Sequence, residues 1–274
     1  MNKGIRNVQN RVAVITGAGS GIGRAIALSL ARRGCHLALA DINMAGLEQT
    51  RAEAEKHGVR VTCHLLDVAD KATVRALPAQ VQSSHGRIDI VVNNAGVALG
   101  GTFEQVSEQD FDWVISINFH GVVHMTRAFL PYLHAGDDSC LVNISSLWGL
   151  ASPAGQAAYS ASKFAVRGFS NALRHELEGS TVGVVVVHPG GVATSIAKSA
   201  RVPSSVSEED VRRGKERADK MLRMPPQQAG EIIVRAMEKR KARIVVGMDA
   251  KIVSLLERIA PVGYWNLLKR LVKS

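Results

Sequence analysis

Arg11-Val12-Ala13-Val14-Ile15-Thr16 runs directly into Gly17-Ala18-Gly19-Ser20-Gly21-Ile22-Gly23-Arg24. A short β-rich apolar run that ends on closely spaced glycines predicts a buried strand turning sharply into a helix. The generic dinucleotide fingerprint G-x-G-x-x-G is not matched; the spacing is G-x-x-x-G-x-G, through Gly17, Gly21 and Gly23. The physics is similar. Glycines allow a tight turn and close backbone approach, and the next helix offers its N-terminus to a pyrophosphate. Gly17, Ser20, Gly21, Ile22 and Gly23 are the expected cradle. Taken alone, the same turn also occurs where nothing binds.

Outward from this turn, apolar runs alternate with longer helical patterns: His36–Asp41, Val59–Leu66, Ile88–Val92, Cys140–Ile144, Val182–Val187 and Ala242–Val246. Near-continuous apolar strands separated by helices predict right-handed βαβ crossovers and a parallel sheet covered on both faces. The expected fold is α/β, a doubly wound seven-stranded parallel sheet of Rossmann type. No Pro/Gly/Ser-rich linker interrupts the middle of the chain, so a single domain over residues 1–248 is expected. It contains a polar, charged segment at about 195–224, and residues 249–274 form a C-terminal amphipathic extension.

In such a sheet ligands bind beyond the carboxyl ends of the strands. Asp41, Asp67, Asn93-Asn94-Ala95-Gly96, Ser145-Ser146 and Pro189-Gly190 all fall there. A carboxylate at Asp41 can accept from an adenosine ribose and would repel a 2′-phosphate; its bland reading is a helix N-cap, a part Asn43 also fits. Arg24 and Arg33 are the cations that could favour a 2′-phosphate, and both also fit the exposed side of the first helix. Tyr159 and Lys163 stand one helical turn apart and share a face. An ammonium beside a phenol lowers its pKa, and reaching neutrality takes roughly 4 kcal/mol of differential stabilisation.

Taken together and in order, the Thr16–Gly23 turn, Asp67, Asn93-Asn94-Ala95-Gly96, Asn118, Ser146, Tyr159-x-x-x-Lys163 and Pro189-Gly190-x-Val192-x-Thr194 closely resemble the short-chain dehydrogenase/reductase family. The resemblance covers Thr16 to about Thr194. It implies that Tyr159 gives or takes the substrate proton, and that Lys163 lowers the tyrosine pKa and binds the nicotinamide ribose. Ser146, thirteen residues before Tyr159, would hydrogen-bond the substrate oxygen in preference to Ser145, and Asn118 would hold a water linking Lys163 to bulk. Asp67 and Val68 resemble the adenine-contacting pair. Ala95 and Gly96 resemble backbone contacts to the cofactor, and Asn94, Pro189, Gly190, Val192 and Thr194 join the cofactor set. Asn93 reads first as structural. The implied cofactor is NAD, with NADP as the alternative, and residues 195–224 are expected to form a lid over the substrate.

The remaining signals narrow the function. The net charge is +10, and residues 201–274 hold 17 of the 34 Lys/Arg but only 9 of the 24 Asp/Glu, so the basic surplus is C-terminal. Without interleaved aromatics or a recognition motif, this reads as a solvated basic face and not as a nucleic-acid site. Cys35, Cys63 and Cys140 are scattered and odd in number, which suggests a reducing compartment. With neither a secretory h-region nor a long apolar run, a cytoplasmic location is expected, with peripheral membrane contact as an option. His120 and His124 have zinc-like spacing without a third ligand, so no metal is expected. His188 could face the site but reads first as strand-end packing, and Trp148 reads as a wall of the substrate pocket, with core filler as its bland alternative. The C-terminal stretch alternates apolar pairs with cations; packing against its own domain or a second subunit is favoured over binding at a membrane, and the stretch is expected to matter more for association than for chemistry. The leading reading is hydride transfer between a nicotinamide cofactor and a small to medium apolar secondary alcohol or ketone, in a homodimer or homotetramer. The alternatives are an NADPH-dependent carbonyl reductase and a catalytically idle dinucleotide-sensing scaffold.

Overall fold

The protein is described here by a computed structural model covering residues 5–197 and 199–266. Seven strands form one parallel sheet: β1 (Val12–Thr16), β2 (His36–Asp41), β3 (Val61–Leu65), β4 (Ile90–Asn93), β5 (Ser139–Ile144), β6 (Val182–Pro189) and β7 (Arg243–Val246). Their order is β3-β2-β1-β4-β5-β6-β7. The chain therefore winds outward from β1 in one direction, then restarts from β4 in the other. The crevice between β1 and β4 is the switch point at which such sheets bind ligands.

Period-two alternation explains why the sheet is covered twice. Ala13 and Ile15 of β1 face one core, shared with Ile26 and Leu30 of α1 (Gly21–Ala31), Leu47 of α2 (Met44–Glu55) and Ile233 of α8 (Pro226–Glu238). Val12 and Val14 face the other core, shared with Val74 of α3 (Lys71–His85), Met125 and Phe129 of α5 (Gly121–His134) and Leu173 of α6 (Ala157–Glu176). The central strands β1, β4, β5 and β6 are buried at every residue because both faces of the sheet are covered there, whereas the edge strands β3 and β7 carry Thr62, His64 and Arg243 and are partly exposed.

Two remaining helices lie over the carboxyl edge or beside it. α4 (Glu108–Ile115) is capped by Ser107, whose hydroxyl accepts from the Asp110 N–H. It continues without a break into a π-helical turn, Ser116–His120, and then α5. α7 (Glu208–Met221) occupies the segment expected to be a lid. That segment is tied at both ends. Arg201 bridges Leu99, pairs with Asp110 at 3.1 Å and lays its guanidinium over the Trp113 ring at 3.6 Å, while Met224 bridges Val192.

The C-terminal stretch packs against its own domain, one of the two placements favoured from the sequence. α9 (Met248–Ile259) buries Ala250 and Val253 against Leu147 and Ala151, with Trp148, Leu256, Tyr264 and Trp265 packed around them. The Ser152 N–H donates to the Tyr264 hydroxyl at 3.0 Å. One face of the segment thus buttresses the loop that follows β5, so its part is not confined to association. The stretch expected to be amphipathic continues into residues 267–274, which lie outside the described residues.

Candidate active site

The turn after β1 is built by positions that no Cβ can occupy. Gly17 and Gly21 have φ of +65° and +54°, in the left-handed region that favours glycine. A Cβ on Gly23 would overlap the Gly17 carbonyl oxygen and come within 2.5 Å of Asn94 Nδ2. Ser20 holds the N-cap position of α1, yet its hydroxyl accepts nothing from the helix. By contrast Asn43, Asp70, Ser107 and Ser207 cap their own helices with side chains. The first N–H groups of α1 are therefore left for a ligand, and their dipole favours an anion. A backbone cradle at an uncapped helix start fits a pyrophosphate.

Asn94 stitches this turn to β4. Its backbone N–H donates to Thr16 Oγ1 at 3.0 Å, and its Nδ2 donates to the carbonyls of Thr16 (3.0 Å) and Gly17 (3.2 Å). Thr16 Oγ1 also accepts from the Ala95 N–H at 3.1 Å. On the other side, Asp41 accepts from the Gly19 N–H at 2.9 Å and the Asn43 N–H at 3.0 Å. Each carboxylate oxygen keeps a lone pair for a ribose hydroxyl. The cap of α2 is Asn43 and not Asp41.

Both cations considered for a 2′-phosphate are committed elsewhere. Arg24 donates to Thr50 Oγ1 (2.9 Å), to the Gly19 and Gly46 carbonyls (2.5 and 3.2 Å) and to Gln49 (3.0 Å). Arg33 is bound to Glu231 at 2.6 Å and Glu238 at 3.4 Å.

Farther along the edge, Thr194 brings the segment after β6 back to the glycine turn, its methyl 3.1 Å from where a Gly21 Cβ would lie. Pro189 closes β6. Gly190 and Gly191 then let the Asp249 carboxylate approach, and the Gly191 N–H donates to it at 2.6 Å. The sequence reading missed Asp249; the paired glycines were the available hint of a close neighbour. Asp67 is exposed after β3, where it accepts from the Ala69 N–H, while Val68 is buried against Gly121. Gly96 lies beside Lys163, whose Nζ would be 3.4 Å from a Cβ at that position.

Ser146, Tyr159 and Lys163 are buried together where β5 and α6 meet. The Ser146 hydroxyl faces the Tyr159 phenol closely enough to favour its ionised form. The Lys163 ammonium stands 5.8 Å from the centre of the Tyr159 ring and donates to the Ile144 carbonyl at 3.2 Å. Ser145 points elsewhere: its hydroxyl donates to the Lys163 carbonyl at 2.8 Å, tying β5 to α6. The two serines thus divide the work between site and frame.

The electrostatics differ in one respect from the sequence expectation. In the protein alone, the Tyr159 phenol is pushed above its ordinary value by burial, partly offset by the Ser146 hydroxyl. Burial also draws Lys163 down, to about 8. Desolvation opposes the charged form of each group, and the ammonium's single hydrogen bond goes to a carbonyl and not to the phenol. At neutral pH the resting pair is therefore a neutral phenol beside an ammonium.

Asn118 sits in the π-helical turn with its side chain fully buried. Oδ1 accepts from the Val97 N–H at 2.8 Å, and Nδ2 donates to the Val97 carbonyl (3.0 Å) and to Ser162 Oγ (3.1 Å). The amide's two hydrogens are spent on the protein, so they are not available to the water expected at this residue. Asn93 is structural, as the sequence suggested: it donates to Asn143 at 2.8 Å, and Asn143 donates to Ser170 at 2.9 Å. His120 and His124 lie with ring centres 6.2 Å apart, and among the described residues no metal-binding cluster is found.

Comparison with known proteins identifies this arrangement. Residues 11–204 match the family model described as short chain dehydrogenase. The oxidoreductase SadH of Mycobacterium tuberculosis is 43% identical over 262 residues, covering 94% of each chain. A short-chain dehydrogenase/reductase from Burkholderia phymatum, solved in complex with NAD, superposes with a TM-score of 0.86 at 29% identity, covering 92% of this chain and 94% of that one. A short-chain dehydrogenase from Mycobacterium paratuberculosis bound to NAD gives 0.78 at 26% identity, covering 90% and 99%. The chain belongs to the short-chain dehydrogenase/reductase family and is an NAD(P)-dependent oxidoreductase.

The overlap that a Cβ at Gly23 would create gives a direct test of the cradle. Overpacking of this kind costs about 1–3 kcal/mol, so Gly23→Ala should weaken NADH binding about ten- to a hundredfold. Fluorescence titration measures this, and an unchanged affinity would count against the turn as the pyrophosphate seat.

Proposed function

We propose that the chain transfers a hydride between NAD(H) and a small to medium apolar secondary alcohol or ketone, with Tyr159 as acid or base. The observation that carries this reading is the joint burial of Ser146, Tyr159 and Lys163, with the Lys163 ammonium 5.8 Å from the centre of the Tyr159 ring. When bound, the nicotinamide supplies or accepts the hydride. In reduction, Tyr159 gives its proton to the carbonyl oxygen while the Ser146 hydroxyl donates a hydrogen bond to the same oxygen. The phenolate left behind faces Lys163, whose charge stabilises it. In oxidation the proton runs the other way. Lys163 has the further role of holding the nicotinamide ribose. The helix carrying Asn118 supports these groups from behind, through Val97 and Ser162.

An apolar substrate is supported by the surroundings of the edge. Phe103, Val202 and Met221 are exposed near the segment 195–224, and Leu147 and Trp148 follow Ser146. That segment is a lid in this reading, and closing it over the substrate excludes water from the hydride-transfer position. NAD is favoured over NADP because Asp41 stands at the end of β2 while Arg24 and Arg33 are already held. The alternatives of an NADPH-dependent carbonyl reductase and an idle sensing scaffold have no comparable support at these positions.

The proposed partners are a second copy of the chain and, peripherally, an anionic membrane, in a cytoplasmic setting. α6 leaves Ala161, Phe164, Gly168 and Ala172 exposed along one stripe; Ala161, Gly168 and Ala172 are small enough to permit close helix approach, and Phe164 adds apolar area. The outer side of α9 carries Met248, Ile252, Leu255 and Ile259, with Lys251 and Arg258 among them and Val262 beyond. Pairing two such faces would set like charges against each other, whereas an anionic bilayer accepts both the aliphatic stripe and the cations.

Three measurements test this reading. Tyr159→Phe should lose at least about a hundredfold in kcat while NADH still binds, and wild-type reduction should fall as pH rises through about 8, where Lys163 gives up its proton; retention of most turnover would overturn the role of Tyr159. With a carbonyl and alcohol panel, kcat/KM for NAD(H) should exceed that for NADP(H) by about tenfold or more, each tenfold being 1.4 kcal/mol, and equal values would refute the Asp41 argument. Light scattering should give an oligomer that Ala161→Arg dissociates, and anionic vesicles should sediment wild type but not Ile252→Asp/Leu255→Asp; a monomeric wild type or equal sedimentation would each remove the corresponding partner.

A further inference from the structure

His188 is wholly buried at the end of β6, and the reaction described above gives it no part. Its setting follows from the sheet register. β5 and β6 run in register through Ile144 and Val187, and the Ser145 N–H donates to the Val187 carbonyl at 2.8 Å. In a parallel ladder the next bond would run from the N–H of residue 189 to the Ser145 carbonyl. Residue 189 is proline and has no N–H to give. The backbone ladder therefore stops one step short of Ser146. At that step a side chain takes over: His188 Nδ1 lies 3.0 Å from the Ser146 carbonyl oxygen.

We propose that His188 is a positioning residue for Ser146, its neutral imidazole donating from Nδ1 to the Ser146 carbonyl and so fixing the serine hydroxyl against Tyr159. This rests on the proposed role of Ser146. The carbonyl can only accept, so Nδ1 carries the proton. Burial, with Arg167 of α6 and Arg243 of β7 nearby, draws His188 down to about 3, so the ring stays neutral through the working range and Nε2 is bare. Nε2 is indeed buried without a hydrogen-bond partner.

The bond matters because Ser146 is the hinge between β5 and the single 3-10 turn Leu147–Gly149, with extended backbone at φ −162° and ψ 168°. Three other bonds hold the neighbourhood: the Trp148 N–H to Ser146 Oγ at 3.1 Å, Ser145 Oγ to the Lys163 carbonyl at 2.8 Å, and the Gly149 N–H to the Ser146 carbonyl at 3.0 Å. The last lies within the 3-10 turn itself and would move with it. His188 is the partner that ties the Ser146 carbonyl to β6, so without it the direction of the hydroxyl is set by the turn and no longer by the sheet.

Side-chain isosteres separate this role from simple packing. In His188→Asn the amide nitrogen takes the place of Nδ1; in His188→Gln it takes the place of Nε2. His188→Leu and His188→Gln should lower kcat about tenfold or more, short of the hundredfold that a 1 Å misplacement can cost, with NADH affinity unchanged. His188→Asn should recover most of that loss. Recovery by Gln instead of Asn, no loss in Gln, or equal loss of kcat and of cofactor affinity in both variants would overturn the assignment. A readout independent of turnover is long-range proton–nitrogen correlation on the full-length, nitrogen-labelled protein. It should show one neutral histidine protonated at Nδ1 that disappears in His188→Asn. An Nε2-protonated or imidazolium signal for that residue would overturn the proposal even if the chain reduced no carbonyl, an outcome that would itself sink only the functional reading.

Discussion

The hydrogen bonds from Asn94 to Thr16 and Gly17 close the crevice between β1 and β4, and the rest of the site is arranged around that closure. A doubly wound sheet must part its loops where the strand order reverses, because the two halves wind away from each other. Here one side chain crosses the gap and holds the glycine turn against the end of β4. The turn in turn needs glycine at residue 23, since a Cβ there would strike both the Gly17 carbonyl and the Asn94 amide. A single amide thereby links the opening of α1, where an anion can be seated, to the edge that leads toward Ser146, Tyr159 and Lys163.

The polar groups under this edge are buried and bonded to one another within the protein, with Asn93 Oδ1, Ser160 Oγ and His188 Nε2 left over. Asn93, Asn143 and Ser170 form one chain between β4, β5 and α6; Asn118 and Ser162 form another between the π-helical turn, the loop at Val97 and α6. Such networks are costly when incomplete and rigid when complete. They fix α6 against the sheet, and α6 carries both Tyr159 and Lys163. Burial then shapes the chemistry. It raises the phenol and lowers the ammonium, so the pair rests as acid and cation, and a neighbouring charge has a large effect in such a place.

The C-terminal segment joins two tasks. Its inner face, through Ala250, Val253 and Tyr264, supports the loop after Ser146, and Asp249 holds the glycines after β6. Its outer face is apolar and cationic. An element that touches the site on one side and solvent on the other can couple the surroundings of the protein to the shape of the substrate pocket.

Much of this was legible in the sequence. The seven strands were readable because strands buried on both faces are apolar without interruption, and the glycine turn because only glycine tolerates its backbone. Tyr159 and Lys163 could be paired from their spacing alone, since helical geometry is local. Tertiary structure decided what depends on partners far apart in the chain. Arg24 and Arg33 looked free for a phosphate until their acceptors at Gly19 and Glu231 were in place. Ser145 and Ser146, adjacent in sequence just past the end of β5 at Ile144, diverge because successive side chains of extended backbone point to opposite sides. The partners of the Asn118 amide, Val97 and Ser162, likewise appear only once the chain is packed. The partners of Asp249 and His188 could not be read locally, because a hydrogen bond to a distant backbone group leaves no period or spacing in the chain. The sequence alone determines which residues can be buried and which turns are possible; only the packed sheet determines which of its polar groups remain unspent for a ligand.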